Sequence, residues 1–123
     1  MAASLGHVGI HVRDLERSLR FYTGVFGFHV RRRLSVGESL FAILDVGGGW
    51  LEIIQRPDGP AEAPEGRGSH IAFHIEDYDG LISKLEEVGF ELRKVTLDDG
   101  SRIAFFKDPD GHDIEIVEKG MSQ

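Results

Sequence analysis

Along residues 6–28 the apolar pattern changes from alternation, in HVGIHV, to positions about one helical turn apart at Leu15, Leu19, Tyr22 and Phe26. It then returns to alternation in FHVRRRLS, SLFAILDV and WLEIIQ. Alternation marks a strand with one buried face, and the longer period marks a helix with one apolar stripe. The stretch therefore predicts a strand, a helix and three further strands. Asp14 stands where a helix needs a side-chain acceptor for its first free N–H groups, and Gly27 where a left-handed residue ends it. The pattern recurs downstream: SHIAFHI reads as a strand, Asp77 caps a helix bearing Tyr78, Leu81, Ile82, Leu85 and Val88, and Gly89 stops it. FELRKVTL, RIAFFK and HDIEIVE then read as three strands.

The two stretches match residue for residue. His7 pairs with His70, His11 with His74 and Asp14 with Asp77, each 63 positions apart, and at the same offset Asp45 meets Asp108, Gly48 meets Gly111 and Glu52 meets Glu115. A repeated supersecondary unit is the physical reading of such an offset. We expect an α+β fold of two β-α-β-β-β modules whose curled mixed sheets enclose a cavity. The 123 residues suit a single domain, 1–123, with module 1 at 4–57, a linker at 58–68 and module 2 at 69–119. The linker region RPDGPAEAPEGRG holds three of the four prolines, and the tail KGMSQ is expected to fray.

Composition narrows the chemistry. A formal charge of −7 disfavours nucleic acid and anionic membranes as partners, and no cysteine means no disulfide, thiolate metal site or thiol nucleophile. No long apolar run and no basic leader stand at the start, so a cytoplasmic protein without membrane association is expected.

Alternation then assigns faces. In HVGIHV, His7, Gly9 and His11 look away from Val8, Ile10 and Val12, which must meet the helix. By the same parity Glu52 and Glu115 look away from Leu51 and Ile53 and from Ile114 and Ile116. Two imidazoles and two carboxylates make a plausible N2O2 set for a divalent ion such as Ni, Co, Mn, Fe or Zn, leaving positions open for water or substrate. Ordinary partly buried polar residues are the alternative, although two carboxylates among apolar neighbours, each in register with a His, are costly to bury without a purpose.

GHVGIHVRDLERSLRFYTGVFGF, LEII, SHIAFHI and FFKDPDGHDIEI together resemble the vicinal oxygen chelate superfamily of glyoxalase, bleomycin-resistance and dioxygenase proteins, over nearly the whole chain. The resemblance implies paired modules around a divalent metal with His7, Glu52, His70 and Glu115 as its ligands. It also implies that drug-binding relatives typically lack the ligands, whereas extradiol dioxygenases and fosfomycin-resistance enzymes generally have no acid at the position of Glu52. Four ligands point to a metal-dependent lyase or isomerase of glyoxalase I type. Such an enzyme removes a proton next to a chelated oxygen of a small substrate, for example a 2-oxoaldehyde hemithioacetal. A methylmalonyl-CoA-type epimerase and a drug- or metabolite-sequestering protein are the other readings. Glu115 is the expected base and Glu52 its partner. His11, His74, Arg56, Trp50 and Arg102 are candidates for substrate contact. Glutathione is not favoured, because His11 and Arg56 stand where that enzyme's pattern has Arg and Asn. Modules of this kind pair within or between chains, and a homodimer is expected.

Overall fold

The structure, a computed structural model, describes residues 2, 3, 5–58 and 69–118. Most of the expected linker and the tail, with Lys119 at the end of module 2, lie outside these residues. Contacts divide the chain into two compact units, residues 1–64 and 65–123.

Unit 1 runs β1 (Val8–His11), α1 (Leu15–Phe26), β2 (His29–Val36), β3 (Ser39–Asp45) and β4 (Trp50–Gln55). Its sheet is open, in the order β1-β4-β3-β2, with β1 parallel to β4 and the other pairs antiparallel. Helix α1 starts as expected: the Asp14 carboxylate accepts from the Arg17 N–H at 3.1 Å, and Gly27, at φ 73°, donates its N–H to the Thr23 carbonyl. Its stripe buries Leu15, Leu19, Phe21 and Tyr22, with Ala42, Leu44, Leu51 and Ile53 of the sheet also in the core. Gln55 Oε1 accepts the Leu15 N–H at 2.7 Å and ties the helix start to β4.

Unit 2 repeats this as β5 (His70–Ile75), α2 (Tyr78–Val88), β6 (Arg93–Thr96), β7 (Arg102–Lys107) and β8 (Asp113–Glu118). The sheet order is β5-β8-β7-β6 with the same directions. Asp77 caps α2 by accepting from the Gly80 N–H at 3.0 Å. The carboxylate lies so close that a Cβ at Gly80 would fall 2.2 Å from it, so a larger residue there would push the capping carboxylate aside. Both sheets are open, so the β-α-β-β-β order stands twice and neither copy closes into a barrel.

The expected pattern shifts at four places. Val88 is 69% exposed rather than on the apolar stripe. The turn at Gly89 brings the Phe90 N–H back to the Leu85 carbonyl, and the Phe90 ring lies 5.5 Å edge-on to Phe106. Val8, at the end of β1, is exposed while Ile10 and Val12 are buried. Strand β6 has four residues rather than the eight of FELRKVTL. Strand β2 carries a bulge between Val30 and Arg32, which leaves Arg31 without a partner and breaks the alternation of the arginine run.

Candidate metal-binding half-sites

Pairing fixes which residues share a row across each sheet. In unit 1, Gly9, Glu52, Ile43 and Arg32 lie side by side on the face away from α1. In unit 2 the equivalent row is Ala72, Glu115, Phe105 and Arg93. His7 and His70 precede these rows by two residues, on the same face by parity.

Within each unit one imidazole lies beside one carboxylate. His70 Nε2 is 2.9 Å from Glu115 Oε1, and the Glu115 side chain is only 6% exposed. His7 Nε2 is 3.7 Å from Glu52 Oε1, whose side chain is 19% exposed. Each pair offers one nitrogen and one oxygen donor close enough for a single ion to touch both, which is the chemistry of a borderline divalent metal site. Each unit supplies two donors, and among the described residues no three His, Asp or Glu side chains gather into one cluster. A metal held within one module would need further ligands.

The remaining candidates separate. His11 and His74 keep to the ligand face at the far ends of β1 and β5, opposite Ile54 and Val117. Trp50 is 45% exposed with the Arg31 guanidinium 5.2 Å over its ring, and Arg56 lies 5.4 Å over Phe41. Arg102 faces α2. Its guanidinium forks onto Asp79 at 2.8 and 3.1 Å, bonds Glu118 and lies 4.9 Å over Tyr78, so it ties helix to sheet. These bonds hold the Asp79 carboxyl below its ordinary range, while burial pushes the Tyr78 phenol up. The DPDGH segment is structural: the buried Asp108 carboxylate accepts from the Asp110 and His112 N–H groups at 2.9 and 2.8 Å, turning the chain into β8.

Sequence parity did not single out Arg93. It stands two strands from Glu115 on the same row, with its guanidinium 4.3 Å over the Phe105 ring. A signal existed in the antiparallel register of β6, β7 and β8, but that register depends on the turn at residues 97–101.

Comparison with known proteins agrees with this organisation. Residues 4–116 match the model of the Glyoxalase/Bleomycin resistance protein/Dioxygenase superfamily, and the chain belongs to that superfamily. It is 34% identical over 122 residues to the metallothiol transferase FosB of Lysinibacillus sphaericus, covering 92% of this chain and 80% of the relative. It is 29% identical over 123 residues to the lactoylglutathione lyase GLX1 of Arabidopsis thaliana, covering 93% of this chain and 44% of that protein. Among solved structures, the trypanothione-dependent glyoxalase I of Leishmania major superimposes with a TM-score of 0.82 at 27% identity, over 96% of this chain and 88% of that one. The superfamily thus includes metal-dependent enzymes acting on small molecules. No described helix is long and apolar enough to cross a membrane.

Proposed function

We propose that the chain is a divalent-metal-dependent lyase or isomerase of glyoxalase type, acting on a small substrate such as a 2-oxoaldehyde hemithioacetal. The observation that carries this reading is Glu52. It stands beside His7 as Glu115 stands beside His70, so both copies carry an imidazole–carboxylate pair. Fosfomycin-type enzymes, as the resemblance describes them, generally have no acid at that position.

The four residues fit a metal by donor type and by the approach of each pair, and one ion per two copies would be held by His7, Glu52, His70 and Glu115, the copies pairing within a chain or between two chains. Such an ion supplies Lewis acidity, drawing electron density from the substrate's oxygens and acidifying the neighbouring C–H. His7 and His70 serve as neutral nitrogen donors, each oriented by the carboxylate beside it. Glu115, walled from water, takes the proton from one carbon. Glu52 is its partner and helps return a proton to the adjacent carbon.

Elemental analysis of the purified protein, followed by a metal-by-substrate screen with methylglyoxal and a small thiol, tests the proposal. We expect a stoichiometric divalent metal, turnover abolished by chelation, and loss of metal from His7→Ala and His70→Ala with the fold retained. Tight drug binding without metal would instead indicate sequestration. Racemisation of methylmalonyl-CoA would indicate the epimerase, and thiol addition to fosfomycin would indicate the function named for FosB.

A further inference from the structure

Among the described residues, guanidinium groups lie over four aromatic rings: Arg31 over Trp50, Arg56 over Phe41, Arg102 over Tyr78 and Arg93 over Phe105. Phe105 also meets a histidine. Its ring centroid is 6.2 Å from that of His70, with the two planes at 80°, while the Arg93 guanidinium sits 4.3 Å over its face. The three side chains stand in the wall of a cavity of about 840 Å³ within unit 2.

Strand order explains what this contact reaches. β8 runs between β5 and β7, so a ring extending from Phe105 to His70 crosses the strand that carries Glu115, the register partner of Phe105. Glu115 Oε1 lies 2.9 Å from His70 Nε2. One such contact fixes an atom of the imidazole and leaves its plane free to turn about that point. A nitrogen ligand presents its lone pair in the ring plane, so the plane decides whether it can meet a metal. The His70 side chain is 47% exposed, so burial alone does not hold it, and the Phe105 ring supplies the second contact. Unit 1 is the internal comparison. Opposite Glu52 stands Ile43, with Arg32 beside it, an aliphatic side chain on which a guanidinium cannot stack, and there the histidine–glutamate distance is 3.7 Å.

We infer that Phe105, pinned by Arg93, is a positioning residue that sets the plane of the His70 imidazole for metal binding. The inference rests on the reading that His70 and Glu115 hold the metal.

Cobalt(II) is the probe, because its visible absorption follows ligand geometry and its release to a chromogenic chelator gives a rate without turnover. Phe105→Ile, which installs the unit 1 residue, should release cobalt roughly 10- to 100-fold faster than the native protein and alter the visible band. Phe105→Tyr keeps the ring and should behave as native. Arg93→Met, at an exposed position, should speed release by roughly two- to fivefold with the fold retained. With methylglyoxal and a small thiol, Phe105→Ile should lose kcat while KM changes by less than about twofold. In the metal-free protein the His70 ring protons should carry a ring-current shift that Phe105→Ile removes and Phe105→Tyr keeps.

Cobalt release at the native rate from Phe105→Ile, or release from Phe105→Tyr as fast as from Phe105→Ile, overturns the assignment. Should Phe105→Ile fail to fold, native-rate release from Arg93→Met overturns it instead. Altered release in a protein that turns over no hemithioacetal means that the lyase reading fails and the positioning role stands. Turnover with unaltered release means that only the positioning role fails. A native protein that binds no cobalt overturns both.

Discussion

In unit 2 the histidine nitrogen and the glutamate oxygen stand 2.9 Å apart and the carboxylate is 6% exposed, whereas in unit 1 the same atoms stand 3.7 Å apart and the carboxylate is 19% exposed. The difference comes from neighbours on the same row. Glu115 lies between Phe105 and Ala72, and Phe105 also braces His70. Glu52 lies between Ile43 and Gly9, a smaller wall on one side and no side chain on the other. Duplication thus kept the donor types while the surroundings diverged, leaving one pair closed and dry and the other open and adjustable.

The sharpest way to break this comparison is to neutralise each carboxylate in turn. Glu115→Gln should retain metal yet slow solvent-proton exchange at the substrate carbon by roughly 100- to 10,000-fold, followed by NMR in heavy water. Glu52→Gln should cost less, about tenfold to 100-fold, because its more exposed position lets water substitute in part. Equal losses would mean that burial does not divide the roles. The reverse order would make Glu52 the base.

A smaller effect concerns the ties between helix and sheet. The arginine of unit 2, Arg102, holds two carboxylates and the Tyr78 ring, whereas that of unit 1, Arg33, holds Glu16. Arg102→Gln should therefore lower the urea midpoint more than Arg33→Gln. The Arg102 bonds hold the Asp79 carboxyl below its ordinary value near 3.8, as Arg33 holds Glu16 below 4.5. A depressed carboxyl contributes stability at neutral pH and loses it as pH falls through its folded value. The gap between native protein and Arg102→Gln should accordingly close below pH 3.8, the ordinary value of Asp79. A gap that persists in acid would assign the effect to packing on Tyr78.

Arg102 also shows where sequence stops being sufficient. Parity identifies faces when one face is apolar and the other polar, as in HVGIHV, and it assigned His7, Glu52, His70 and Glu115 to one side of their strands. In RIAFFK, Ile103, Ala104 and Phe106 are all buried, so both faces of β7 are apolar and the pattern cannot say which one Arg102 shares. The caps at Asp14 and Asp77 and the stops at Gly27 and Gly89 were legible because they act within a few residues. The bulge at Arg31 and the row joining Arg93 to Glu115 arise from pairing between strands, which no local pattern contains.

The mildest test exchanges the residues flanking the two carboxylates, Gly9 and Ala72. Gly9 has no positive φ, and a Cβ there would meet Ile54 Cδ1 at 3.5 Å and Glu52 Oε1 at 3.7 Å, both ordinary contacts. Gly9→Ala should therefore fit. It should stabilise the protein by about 0.4–1 kcal/mol, mainly by restricting the unfolded chain, and Ala72→Gly should destabilise by a similar amount. The added methyl also narrows the space around the Glu52 carboxylate, making the first pair more like the second. Metal release from Gly9→Ala, followed with a chromogenic chelator, should then be slower than from the native protein. If Gly9→Ala is destabilising, or metal leaves it faster, the open space beside Glu52 is needed for its working position, and the looseness of the first pair is a requirement of the site rather than a residue of the duplication.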